Sequence, residues 1–217
     1  MINATDSKGT FYILNKKDRT PIIFIHGVGL DHSIWDPQIN EFDNTVLIYD
    51  ILGHGKTPLN KNDLSFDDFS NQILNLMDEL KFNKVHLVGF SIGSLIARNF
   101  ATRFNDRLAS LTLLCSIFNR SDKEQKIVND RFEQTKKDHK LTKDALKRWF
   151  TEDFLNKNPG ISDKIFNILQ NNNMNNFIKI YSLFVKHQDN EKFENIKTKT
   201  LVITGEGDVG STPEMSI

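Results

Sequence analysis

Gly89-Phe90-Ser91-Ile92-Gly93 is the stretch on which the fold turns. It fits the pattern G-x-S-x-G, directly after the apolar run Lys84-Val85-His86-Leu87-Val88 and directly before a helical pattern from Ile92 to Phe104. A serine at a sharp strand-to-helix turn exposes its Oγ, and the helix N-terminus behind it favours developing negative charge. Bulk at Gly89 or Gly93 would collide with neighbouring backbone, which explains glycine at both places. The same residues also suit a serine N-cap between turn glycines, so the surroundings have to decide.

Outward from this turn, short β-type runs alternate with longer helical patterns, as in a parallel sheet wrapped by helices. Upstream, strands are expected at Phe11 to Leu14, Pro21 to Ile25 and Thr45 to Tyr49. A helix is expected from an N-cap at Ser65 through Phe69, Ile73, Leu76, Met77 and Leu80. Downstream, Leu108 to Leu114 reads as a strand. The runs are apolar almost throughout, as strands covered on both faces must be. After Ile117 the character changes. Residues 119–196 are polar, with helical spacing at Leu141, Leu146 and Trp149 and again at Ile165, Ile168 and Leu169. The patch Asn171 to Asn176 reads as a helix junction, and Thr200 to Thr204 restores the strand signal. The pattern predicts a core of 1–118, a helical cap inserted at 119–196, and a returning strand and loop at 197–217.

Composition narrows the partners. Hydrophobic residues are 38% of 217, with 17 phenylalanines, enough for one packed domain. Lys plus Arg and Asp plus Glu both number 28, so no bulk field draws the chain to nucleic acid or to an anionic membrane. The expected partner is a small molecule. Cys115, the single cysteine, excludes an internal disulfide and reads as a buried structural thiol in a reducing compartment. No signal-peptide design and no run of membrane-spanning length is visible, so the expected location is the cytoplasm.

Two further turns follow strands. His26-Gly27-Val28-Gly29 can aim a backbone N–H, that of Val28, at the serine; the Ile92 N–H is the second donor of an oxyanion hole. His26 itself reads as a brace for that loop. Asp50-Ile51-Leu52-Gly53-His54-Gly55-Lys56-Thr57-Pro58 taken alone is only a loop.

In this order and at these spacings, the three turns resemble the α/β-hydrolase family, and within it the 3-oxoadipate enol-lactonase-like branch of small esterases and lactonases. The stretch from His26 through Trp35 to Ile39 is similar to that branch's oxyanion segment, and Arg148-Trp149-Phe150-Thr151 to an element of its cap. Thr204 to Met215 resembles its acid loop. The resemblance implies an α/β-hydrolase fold with a mostly parallel sheet, flanking helices and a helical cap. It also implies Ser91 as nucleophile and Asp208, in Gly205-Glu206-Gly207-Asp208, as the acid that orients the base. Asp50 corresponds to a structural turn. Trp149 is the cap residue expected to line the substrate pocket, or else to pack the cap on the core. No metal and no cofactor are implied.

The pattern breaks at the base. In the family a histidine follows the acid by roughly twenty to forty residues, whereas this sequence stops nine residues past Asp208. All six histidines precede Asp208: His26, His32, His54, His86, His139 and His187. His86 lies within a strand, His139 and His187 are expected to be solvated on the cap, and His32 and His54 near the pocket mouth. The expectation is a C-terminally truncated chain that lacks the last strand and helix. Such a chain turns over slowly and self-associates through an open sheet edge. The expected reaction is hydrolysis of a small carboxylic ester or lactone through acyl-Ser91. The rivals are C–C hydrolase, thioesterase, acyltransferase or cofactor-free haloperoxidase chemistry on the same fold, and a ligand-binding module without catalysis.

Overall fold

A computed structural model describes all 217 residues, side chains included except at Asp144 and Ala145. Seven strands form one sheet: β1 Ile2–Thr5, β2 Phe11–Asn15, β3 Arg19–Ile25, β4 Asn44–Tyr49, β5 Val85–Phe90, β6 Leu108–Leu114 and β7 Thr200–Ile203. Their spatial order is β1-β2-β4-β3-β5-β6-β7. The β1–β2 and β2–β4 pairs are antiparallel and the other four are parallel. The crossovers carry α1 Phe66–Glu79 and α2 Ile92–Arg103. Five helices lie between β6 and β7: α3 Asp122–Asp138, α4 Asp144–Trp149, α5 Glu152–Lys157, α6 Pro159–Gln170 and α7 Met174–Val185.

The strands are apolar throughout because each sheet face has its own cover. Successive side chains point to opposite faces of a strand. Ile23, Ile25, Leu47 and Leu87 face one way and pack with Phe69, Ile73, Leu76 and Met77 of α1 and Ile96 and Phe100 of α2. Their neighbours Ile22, Phe24, Val46 and Ile48 face the other way, against Trp35 and Ile39. Ser65 begins α1 as expected, its N–H donating to the Asp68 carboxylate at 2.8 Å.

Every strand expected from the sequence is present within two residues. The unexpected one is β1, a polar edge strand that three of its four residues leave exposed. At the other edge β7 is exposed along its whole length, and Leu201 is 54% accessible. Among the described residues no helix is long and apolar enough to cross a membrane.

Two sequence expectations need correction. Cys115, expected as a buried thiol, stands one residue past the end of β6. There it takes a left-handed φ of 50° and is only half buried. His187 is not solvated: its side chain is 6% exposed and sits among charged groups. The chain folds α7 back onto α3 through Val128, Phe132 and Val185, and this carries His187 inward. His139 is exposed, as expected.

Candidate active site

Parallel strands deliver their following loops to one edge, and β3, β5, β6 and β7 do so here. Phe90 stands beside Leu114, and Leu114 beside Ile203, so the residues after each strand are neighbours. The Ser91 N–H donates to Leu114 O at 2.9 Å, and the Cys115 N–H to Ile203 O at 2.8 Å. Ser91 and the loop holding Asp208 therefore lie about two strand spacings apart, or roughly 10 Å of backbone.

Ser91 links β5 to α2 with φ 56° and ψ −121°, a conformation glycine takes readily and L-residues adopt only under constraint. The flanking glycines supply that constraint. A Cβ on Gly89 would stand 2.2 Å from Gly93 O, and one on Gly93 would stand 2.6 Å from Ile25 O. The helix therefore touches the strands beneath it with bare backbone, and the turn stays tight.

The loop after β3 lies against this serine. A Cβ added to Gly27 would come within 3.4 Å of the Ser91 Cβ. Among the described residues the Val28 N–H donates no hydrogen bond within the chain. The Ile92 N–H stands in the first turn of α2, where helix donors have no intrahelical partner. Two unsatisfied N–H groups thus border Ser91.

Residues on neighbouring loops hold this donor loop in shape. His26 is fully buried; its Nε2 accepts from the Ile51 N–H at 3.1 Å, and its Nδ1 donates to Gly27 O at 2.8 Å. His54 Nε2 accepts the Gly29 N–H at 2.8 Å. From the helices above, Asn172 Nδ2 donates to Gly29 O at 2.7 Å, and the Phe177 and Leu169 side chains sit where a Gly29 side chain would be. Asp50 is buried and accepts from the His32 N–H and the Lys56 N–H, each at 2.8 Å, and pairs with His32 Nδ1 at 2.7 Å. Burial raises the Asp50 carboxyl, but the His32 side chain, the His26 imidazole and the Lys56 and His32 N–H groups together outweigh it and the net direction is down. Asp50 is thus a structural turn residue, as the sequence implied.

These contacts assign the histidines. His26 and His54 are neutral braces, His32 is the partner of Asp50, and His86 on β5 pairs with Ser110 at 2.7 Å. Among the described residues no histidine hydrogen-bonds to Ser91 or Asp208. Asp208 Oδ1 instead accepts the Gly210 and Ser211 N–H groups at 2.8 and 2.9 Å, which ties the carboxylate to its own loop. Its charge also bears on Cys115, whose thiol is pushed up by burial and then by Asp208. Trp149 ends α4 at 45% exposure. Its neighbour Phe150 is the one that packs, against the cluster of Leu30, Leu146, Ile165 and Leu169.

Burial pushes the His54 imidazole down to about 3. Its unfolded counterpart titrates near 6.5, so between those values the unfolded chain binds a proton the folded one refuses. Stability should therefore fall as pH drops below about 6.5, by several kcal/mol toward pH 3. Urea titrations of wild type and His54→Gln, each at neutral and at acid pH, check this. The variant should lose much of the slope, and an equal slope in both proteins would contradict it.

Comparison with known proteins agrees with the architecture. The sequence profile for the alpha/beta hydrolase fold matches residues 20–216. An (E)-2-((N-methylformamido)methylene)succinate hydrolase of Acinetobacter baylyi is 28% identical over 212 residues, which cover 96% of this chain and 80% of the relative. The 3-oxoadipate enol-lactonase 1 of the same organism is 26% identical, covering 98% of this chain and 80% of its own length. Among solved structures, a hydrolase from Pseudomonas aeruginosa superimposes with a TM-score of 0.86 at 19% identity, over 99% of this chain and 83% of that one. An enol-lactonase from Burkholderia xenovorans superimposes at 0.81 and 23%, over 99% and 85%. At those identities the superpositions speak for the fold alone.

Proposed function

Because the chain belongs to the alpha/beta hydrolase fold family, we propose that it cleaves a small carboxylic ester or lactone through an acyl intermediate on Ser91. The carrying observation is the strained Ser91 turn with the unsatisfied Val28 N–H beside it. In this reading Ser91 Oγ attacks the carbonyl carbon and passes its proton to a base. The oxyanion accepts from the Val28 and Ile92 N–H groups, and collapse expels the alcohol with that proton. Water then releases the acid by the same route. The printed names of two relatives, a substituted-succinate hydrolase and an enol-lactonase, favour a small substrate.

Asp208 takes the role of the acid that orients the base. Its loop follows β7 and Ser91 follows β5, which leaves the width of β6 between them for an imidazole. Among the described residues no histidine hydrogen-bonds to Ser91 or Asp208, so the base of this reading is not one of the hydrogen-bonded histidines described above. The helical block α3–α7 acts as a cap: its Phe177, Leu169 and Asn172 rest on the donor loop.

The test is labelling by a fluorophosphonate, located by peptide mass mapping, with and without added imidazole as an external base. The expected adduct is on Ser91, forms faster with imidazole, and is missing from Ser91→Ala. No adduct on Ser91 under either condition would overturn the proposal.

A further inference from the structure

Arg98 lies on α2, two helical turns past Ser91, and is 2% exposed. A guanidinium taken out of water is tolerated only when its charge and its donors are met. Both ends of the helical block meet the charge and the two terminal nitrogens of this one, while its buried Nε has no hydrogen-bond partner. On the outgoing side Arg98 Nη1 donates to Ile117 O at 2.6 Å. On the returning side Nη2 donates to Asp189 Oδ1 at 2.6 Å and to Glu191 Oε2 at 2.9 Å. Asp189 closes the loop by accepting the Asn119 N–H through Oδ2 at 2.7 Å. The Phe118 and Phe193 rings, one from each segment, lie 5.9 and 4.9 Å from the guanidinium carbon. A single side chain on the helix of Ser91 thus fastens the chain where it leaves the core and where it returns.

The charges do not balance on Arg98 alone. Two carboxylates, that of Asp189 18% exposed and that of Glu191 7% exposed, face one guanidinium, and the fourth group is His187, whose Nε2 is 3.3 Å from Asp189 Oδ1 and from Glu191 Oε1. With His187 protonated the cluster carries two cations and two anions. With His187 neutral, Arg98 alone among the described residues ion-pairs with the two carboxylates. From α1 the Phe66 ring packs on His187 at 5.3 Å, and from α2 the Arg98 charge opposes its protonation. Arg120 is a further cation acting on Asp189 through space.

We infer that Arg98 is a positioning residue that holds the helical block over the Ser91 edge, and that protonated His187 completes its hold. Calling the block a cap rests on the proposed function, but the fastening itself does not. Burial would lower the His187 imidazole; Asp189 and Glu191 outweigh it, and the net direction is up. A group raised in the folded state stabilises fully below its ordinary value near 6.5 and loses that contribution as pH rises through the higher folded value. The block therefore seats firmly in mild acid and loosens above neutrality, while the sheet core shows no such loosening.

Hydrogen exchange on the 217-residue chain reads this directly, as protection factors at about pH 6 and about pH 8.5. In wild type, protection across α7 and residues 186–199 should fall about tenfold over that range, with no such fall in β3, β5 and α1. His187→Gln should hold the low value at both pH values. Arg98→Lys keeps the charge but loses the planar fork, so it should lower protection at both junctions and still fold. Overturning results are block protection that ignores pH in wild type, a wild-type response in His187→Gln, or wild-type protection in Arg98→Lys. The phosphonate test separates the two claims: pH-dependent seating without a Ser91 adduct would sink the hydrolase reading and leave the fastening intact.

Discussion

Gly89→Val should prevent the domain from folding stably, at a cost of about 4 kcal/mol or more, against a typical total of roughly 5–15 kcal/mol. The first added carbon alone would lie 2.2 Å from Gly93 O, 2.5 Å from Gly93 C and 2.8 Å from the Ser94 Cα. All three are backbone atoms of α2, so no side chain can swing aside. The helix must instead lift from β5, and Ile92, Leu95 and Ile96 would lose the packing that buries them fully. Gly160→Ala is the matched control, since nothing lies within 4 Å of the carbon it adds at the start of α6. It should stay within about 0.5 kcal/mol of wild type. Denaturant melts of both variants check the pair, and a mild Gly89→Val would show that the elbow is looser than its geometry.

Ser91→Gly should have effects of opposite sign on stability and function. Releasing φ 56°, ψ −121° to a residue that adopts it freely should stabilise the fold by about 1–2 kcal/mol. All phosphonate labelling at this position should disappear with the hydroxyl. Ser91→Ala should lose labelling equally and gain no stability, because alanine keeps the Cβ that resists the conformation. If Ser91→Gly melts no higher than Ser91→Ala, the turn stores no strain.

Local regularities carried the reading of the fold a long way. The apolar runs of β3 to β7, the 3–4 spacing of α1 and the glycines about Ser91 each state their own requirement within a few residues. The first strand escaped because Ile2 to Thr5 has little apolar character; its state comes from pairing with β2, whose partner residues sit six to twelve positions on. The roles of His54, Asn172 and Arg98 escaped for the same kind of reason. Their partners lie 25, 143 and up to 93 residues away, and no short motif announces such pairings. His187 was misread because a histidine in a polar stretch looks solvated until the fold sets Asp189 and Glu191 beside it.

By itself, then, the sequence determined the strand–turn–helix at Ser91, the order of the parallel strands' loops along the chain, and the strand β7 that precedes the Asp208 loop. These depend on steric limits and periodicity that act between near neighbours. Only the tertiary structure decided which donors of the His26–Leu30 loop remain unsatisfied, which histidines are braces, and how Arg98 and His187 join the helical block to the serine's helix. Burial and charge compensation settle those matters. Both are properties of what the folded chain brings together, so no stretch of residues carries them alone.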